Sequence, residues 1–465
     1  MARLAKSNLP QFAVDIFQNE YLAEGAREVN AIVTVTATGG GTSGSTNAQP
    51  VNFADGPDAA VVIMVDCSGS MDYPSDKIRA AREATAAAID AVRDGVAFAV
   101  VAGTHEAKEV YPGGGQLAVA HAGSREEAKQ SLRRLTPSGG TAIGTWLSKA
   151  EQLFHSRRDI SIRHGILLTD GRNEHENPND LQRTLDRVQG HFTADCRGVG
   201  TDWEIQELRR ISSALLGTVD IVADPAGLAD DFRAMMENAM GKEVADVALR
   251  VWTPANAAVK FVKQVAPAVE DLSGRRKESG PRIEGAAQSA SIEGGGGRRV
   301  GDYPTGSWGD ESRDYHVCIE VPSAAVGSEM LAGRISLVVP QPDGSTEVLS
   351  QGLVKAVWTD DIAASTKISP QVAHYTGQAD LANAIQEGME AHRRGDVDSA
   401  TSKLGKAVQL AHESGNEDTF RLLAKVVDVV DPKEGTVRFR KNVSEADSMT
   451  LETRSTKTVR VKKTP

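Results

Sequence analysis

Apolar residues along this chain fall into three successive patterns, and each predicts a different architecture. Residues 61–65 read Val-Val-Ile-Met-Val, an unbroken aliphatic run that ends at Asp66. Such a run reads as a strand buried on both faces, of the kind found at the centre of a parallel sheet. Ile166-Leu167-Leu168 ends in the same way, at Thr169-Asp170. Around these two runs the pattern predicts helices over 75–94, 124–135, 141–156, 180–189, 203–215 and 226–240. It also predicts strands over 96–102, 192–199 and 218–222, and a hairpin between 108 and 121. Alternation of strands and helices at these lengths implies a Rossmann-like, doubly wound α/β domain over 59–241.

From residue 242 the helical period disappears. Residues 247–252, 259–265, 315–321, 333–339 and 353–358 are short strand-like runs separated by Pro, Gly and Asp. They predict an antiparallel β-sandwich over 242–365 that is short of a strand or two. Residues 28–37, rich in Val, Ile and Thr, form an orphan strand, followed by a Gly/Ser/Thr-rich linker at 39–49. Residues 1–58 are therefore expected to supply a strand to the sandwich, which makes the α/β domain an insertion within it. Residues 272–299 are polar and end in four glycines, as a mobile loop would.

The third pattern is helical. Leu381, Ile385 and Met389 share one face, as do Leu404, Val408 and Ala411, with breaks at Gly395-Asp396 and Gly415-Asn416. A small three-helix bundle over 366–432 is expected. The run from Gly395 to Leu410 also fits one tetratricopeptide-type helical pair, but a single repeat cannot stack into a solenoid. Residues 433–465 are polar, threonine-rich and finally basic, and are expected to form a disordered tail.

Length and composition narrow the function classes. A chain of 465 residues exceeds one core, and with 5% aromatics its cores must rely on Ala, Val, Leu and Ile. A net charge of −11 argues against nucleic acid as the partner of the whole chain. Cys67, Cys196 and Cys318 are odd in number and widely spaced. They make neither a zinc pattern nor a disulfide framework, which suits a reducing compartment. No signal-peptide core lies in residues 1–21 and no run of 18 apolar residues occurs, so a cytoplasmic location without a membrane span is expected.

The chemistry gathers where the apolar strands end. Open α/β sheets bind ligands at the carboxyl ends of their strands. Asp66, Ser68 and Ser70 would aim three oxygens at one spot there, an incomplete site for a hard cation such as Mg2+ or Mn2+. Ser138-Gly139-Gly140-Thr141 is a glycine-rich loop opening a helix and offers the Thr141 hydroxyl; the third loop offers Asp170. Cys67 lies between the ligand positions with its side chain expected to point away, as a packing residue.

An Asp-x-Ser-x-Ser segment followed by a Thr and then an Asp resembles the metal-ion-dependent adhesion site of the von Willebrand factor A family. That resemblance implies a metal held by Asp66, Ser68, Ser70, Thr141 and Asp170, and a partner protein that supplies a carboxylate to it. It also implies that the ligand set can exchange between Thr141 and Asp170 as the loops shift. Together with Glu20-Tyr21-Leu22, Arg27-Glu28-Val29-Asn30, the sandwich and the helices, the chain resembles cytoplasmic, chiefly actinobacterial, members of this family. Those members imply an adaptor associated with Ser/Thr kinases, phosphatases and phosphothreonine-binding forkhead-associated domains.

Two other classes remain. Some proteins with this domain serve AAA+ ATPases, and the absence of a P-loop means any such ATPase is another chain. A metal-dependent hydrolase would need a general base. No His-Glu-x-x-His, Gly-x-Ser-x-Gly or Walker A pattern is present, and His164, His175 and His191 read as surface or packing residues. A non-enzymatic protein without catalytic residues is expected. Thr450, Thr453, Thr456 and Thr458 sit beside Arg454, Lys457, Arg460, Lys462 and Lys463. They make the tail either a solvated terminus or a kinase target for a forkhead-associated partner, with Thr450 and Thr453 as first choices.

Overall fold

The computed structural model describes residues 10–39, 59–73, 76–278, 300–341 and 345–460. The linker from residue 40 and the glycine-ended segment 279–299 lie outside them.

The α/β domain is built on a seven-stranded sheet. Its order is Val219–Val222, Thr193–Val199, Ile162–Thr169, Ala59–Asp66, Ala97–Gly103 and Ala107–Tyr111, with Ala118–Val119 also paired to Ala97–Gly103. The first five strands are parallel. The residues expected to pair as a hairpin instead line up, both antiparallel, along Ala97–Gly103. Alternate side chains of a strand point to opposite faces, and both faces of Ala59–Asp66 are covered. Val61, Ile63 and Val65 meet Ala81, Ala88, Phe232 and Met236 from the helices Asp76–Ala91 and Leu228–Met240. Val62 and Met64 meet Trp146, Leu147, Leu185 and Leu208 on the opposite side. The chain leaves Ala59–Asp66 toward Ala97–Gly103 and later returns to its other side as Ile162–Thr169. The crevice at that switch point lies beyond Asp66 and Thr169.

The second domain is a sandwich of a five-stranded and a six-stranded sheet. The strand Glu28–Thr38 pairs along its length with Glu311–Glu320, from Ala37 opposite Glu311 to Glu28 opposite Glu320. The α/β domain is therefore inserted between Glu28–Thr38 and Lys242–Trp252. Two further strands precede it. Gln11–Gln18 alternates Phe12, Val14 and Ile16 toward the core, and Tyr21–Ala23 adds an edge. Trp308, Tyr315 and Trp358 are fully buried between the sheets.

Three helices follow, Pro370–Arg393, Val397–Glu413 and Glu417–Val426. The expected disordered tail is a correction. Val427–Asp431 and Thr436–Phe439 form a hairpin, and Glu445–Arg454 is a helix capped by the Ser444 hydroxyl. Sparse apolar residues are enough because they separate between two cores. Val427, Val437 and Leu451 join the helical core, whereas Met449 enters the α/β core. Polar neighbours find fixed partners. Arg454 Nε and Lys457 Nζ bind the two oxygens of Asp220 at 2.8 and 2.6 Å. Backbone N–H groups of Val269 and Thr458 donate to Thr456 and Pro267 carbonyls, which ties the tail to the sandwich. Thr453 is 1% exposed, and the Thr450 hydroxyl donates to the Ala446 carbonyl. The first-choice phosphoacceptors are thus packed within a docked helix. Lys462 and Lys463 lie outside the described residues. No helix among the described residues is long and apolar enough to cross a membrane.

Asp220→Ala leaves two partly solvated cations unpaired at this seam and should lower stability by about 1 kcal/mol in urea unfolding. Burial alone would raise the Asp220 carboxyl, but Lys457 and Arg454 hold it below its ordinary 3.8. A depressed folded value contributes stability that is present at neutral pH and is lost as pH falls through it. The tail should therefore resist limited proteolysis at about pH 5 and loosen only as the pH falls below the ordinary carboxylate range of about 4.

Candidate metal centre

Asp66 ends the central strand with no exposed surface. One oxygen accepts the Ser68 N–H at 2.8 Å and the other accepts the Thr169 hydroxyl at 2.6 Å. Burial pushes its carboxyl up to about 6, with the Ser68 and Thr169 hydrogen bonds opposing. Ser68 Oγ lies 2.8 Å from Ser70 Oγ, and Ser70 Oγ donates to Asp170 Oδ1 at 2.8 Å. Four of the five expected residues thus form one continuous hydrogen-bonded chain, joined at Asp66 through the Ser68 N–H. The fifth faces the same point. A side chain placed on Gly171 would meet Ser70 Oγ at 3.2 Å and Thr141 Oγ1 at 3.6 Å.

Backbone bonds hold the first two loops together. Gly69 N–H donates to the Gly139 carbonyl at 2.9 Å, and Ser138 N–H donates to the Cys67 carbonyl at 2.8 Å. The Cys67 side chain is turned into the core beside Val65 and Met71, where burial pushes its thiol up to about 12.

Sequence reasoning missed the residues that fix the third loop. The helix Ile143–His155 has Ala142 at its N-cap, with no side-chain oxygen to offer. Asn173 Oδ1 accepts the Ile143 N–H and Glu176 Oε2 accepts the Gly144 N–H, each at 2.8 Å. His175 exchanges bonds with the Thr141 backbone, accepting at Nδ1 and donating from its own N–H. The loop that carries Asp170 therefore caps the helix that follows Thr141. The glycines were the available signal. A Cβ on Gly140 would lie 2.1 Å from His175 Nδ1, and one on Gly144 would lie 2.0 Å from Glu176 Oε1. Lys77 was also missed. From the first turn of Asp76–Ala91 its ammonium reaches Asp170 Oδ2 at 2.8 Å and Asp202 at 3.5 Å.

Three hydroxyls and two carboxylates form an all-oxygen donor set without nitrogen or sulfur. Such a set fits a hard divalent cation. Asp66, Ser68, Ser70, Thr141 and Asp170 are the residues that would hold it, with Thr169 and Lys77 orienting the carboxylates from behind.

The fold and this site define a von Willebrand factor type A protein, and the chain belongs to that family. Residues 59–221 match the von Willebrand factor type A domain, and residues 409–455 match the von Willebrand factor type A C-terminal domain. The second match runs from the end of Val397–Glu413 through the third helix and the hairpin to the end of the docked terminal helix. The chain is similar to a solved von Willebrand factor type A protein from Catenulispora acidiphila. The two are 49% identical with 99% of each chain covered and a TM-score of 0.88. The ArnB paralog VWA2 from Sulfolobus acidocaldarius shares the fold at 13% identity, with 96% of this chain and 98% of that chain covered and a TM-score of 0.54. The uncharacterized protein sll0103 from Synechocystis is 26% identical over 299 residues. That match covers 63% of this chain and 64% of the relative's own length.

A metal ligand must be deprotonated, so acid should compete with Mg2+ at Asp66. Affinity by calorimetry should fall about tenfold between neutral pH and about pH 5, one unit below the Asp66 value. The raised value also means that ionising Asp66 destabilises the fold as pH rises from about 4 to about 6, a loss that a bound cation offsets. Mg2+ should therefore raise the melting temperature more at neutral pH than at about pH 5.

Proposed function

We propose that this chain is a non-enzymatic adaptor that captures an acidic group of a partner protein through Mg2+ or Mn2+ at its metal centre. The observation that carries this reading is the convergence of Asp66, Ser68, Ser70, Thr141 and Asp170 at the open end of the central sheet. Ser70 is exposed, and Tyr73, three residues on, is 87% exposed beside it. Two carboxylates, one of them already paired with Lys77, leave a divalent cation under-neutralised. An incoming Asp or Glu carboxylate supplies the missing charge and ligand, and Tyr73 gives that partner an aromatic contact.

A binding role is favoured over a catalytic one because two of the histidines that the sequence offers near the third loop are already engaged. His175 is engaged with the Thr141 backbone, and His164 is bound to Asp195 and Thr193 away from the five ligands. On this reading the adaptor works inside the cell in Ser/Thr-kinase or forkhead-associated signalling, a role supported by the sequence resemblance to actinobacterial members of the family. The metal centre is the contact, since the tail threonines are packed against the domains.

Affinity capture from the native host with full-length protein tests this reading. Wild type in Mg2+ should retain a partner that EDTA releases and that Asp66→Ala fails to hold. Calorimetry should show at least about a tenfold loss of Mg2+ affinity in Asp66→Ala, a loss of more than about 1.4 kcal/mol. Equal Mg2+ affinity in the two proteins would sink the ligand assignment, and EDTA-insensitive capture would sink the adaptor mechanism.

A further inference from the structure

The helix Ile143–His155 begins at the metal centre and ends, about 18 Å away, at a second group of metal-binding side chains. Glu151 and His155 lie four residues apart, on one face of its last turns. His191 joins them from the turn before Thr193–Val199. One ligand atom from each of the three lies within 4.8 Å of the others. Glu151 is 7% exposed, whereas both histidines are exposed to solvent. From these side chains we propose a zinc site, formed by Glu151, His155 and His191 and separate from the adhesion-type centre.

The donor types differ from those at the other end of the helix. Two imidazoles and a carboxylate form the ligand set of open, four-coordinate zinc sites, with the last position left to water or an incoming group. Mg2+, which favours oxygen, is a poor match for them.

The site is supported from behind. Arg187 Nη1 binds Glu151 Oε2 at 3.1 Å and fixes the carboxylate, leaving Oε1 2.7 Å from His191 Nδ1. A metal ligand is commonly held in place by such an outer partner. Beneath the histidines, Phe154 and Phe192 pack with ring centroids 5.2 Å apart, both nearly buried. This contact clamps the helix end to the segment that carries His191. The His155 and His191 rings are already edge to face, with centroids 5.4 Å apart. Metal–ligand bonds of about 2.0–2.2 Å require a closer approach, which rotation of the two exposed rings provides. The cation takes the place of the hydrogen bond between His191 Nδ1 and Glu151 Oε1. It also sits at the helix C-terminus, where the macrodipole favours positive charge.

Zn2+ titration of the full chain by calorimetry at neutral pH, with Co2+ absorption as a geometric probe, tests the assignment. Wild type and Asp66→Ala should both bind Zn2+ at this site and give the intense Co2+ bands of a tetrahedral nitrogen and oxygen environment. The pair His155→Ala and His191→Ala together should lose that binding and those bands while keeping Mg2+ binding, which also reports that the domain is folded. Glu151→Gln, which keeps hydrogen-bonding capacity but removes the ligand charge, should weaken Zn2+ by at least the roughly 10-fold that loss of an outer partner costs. Zn2+ affinity unchanged by Glu151→Gln would mean two exposed histidines chelating by chance, and would overturn the site. Zn2+ binding abolished by Asp66→Ala would overturn it as well, by placing the ion at the other centre.

Discussion

The arrangement of the three domains depends on the contact of residues 449–458 with all of them. Met449 enters the α/β core and Leu451 enters the helical core, two residues apart and on opposite sides of the same helix. Arg209, on the α/β domain, donates to the backbone carbonyl of Glu452, whose carboxylate binds Arg393 of the helical domain. Asp220 takes both Arg454 and Lys457, and the Thr458 hydroxyl then donates to Val265 of the sandwich. Two of these contacts are apolar and the rest polar, and all share one short helix and its extension. Loss of that docking would remove partners from all three domains together. A cavity of about 720 Å3 remains at this junction, lined by charged groups such as Lys242, Arg275, Glu270 and Arg313. The seam is thus a charged interface around a hollow, of a kind that holds domains less rigidly than an apolar one.

The architecture was legible wherever burial imposed a period. Residues 61–65 are apolar without interruption because both faces of the strand are covered, and the run alone identified the sheet centre. The orphan strand at 28–37 could be assigned to the sandwich because the sandwich lacked a strand and the α/β pattern had no place for one. The tail was illegible for the opposite reason. Met449 and Leu451 point into different domains, so no single face accumulates enough apolar residues to show a helical stripe. The strand Gln11–Gln18 also alternates, at Phe12, Val14 and Ile16, but no strand was expected there from the sequence. The two strands beside Ala97–Gly103 are five and two residues long, too short for alternation to reveal which neighbour each one pairs with.

At the metal centre, the five candidate residues stood out in the sequence and the groups that hold them did not, and the difference is chemical. Ligand types are restricted by the ion, so Asp, Ser, Ser, Thr and Asp recur in a recognisable order. Supporting residues need only supply an oxygen or an ammonium at the right place. Thr169, Lys77, Asn173 and Glu176 do this from three different elements. Nothing in their own spacing marks them, although the small residues at 140 and 144 record how closely His175 and Glu176 approach.

Those supports also resolve an electrostatic conflict. Thr141 stands at the N-terminus of Ile143–His155, and the N-terminal end of a helix carries partial positive charge that disfavours a nearby cation. The N-cap residue, Ala142, cannot offset it. Glu176 brings a full negative charge to the Gly144 N–H, and Asn173 brings a carbonyl oxygen to the Ile143 N–H. The positive end of the helix is thereby satisfied from within the protein before any ion arrives. At the other end of the same helix the dipole reverses and Glu151, His155 and His191 gather with nothing to offset. A cation at the first end is tolerated only because the third loop folds back over the helix start. The geometry that brings Asp170 to the site therefore also makes the Thr141 end of the site usable.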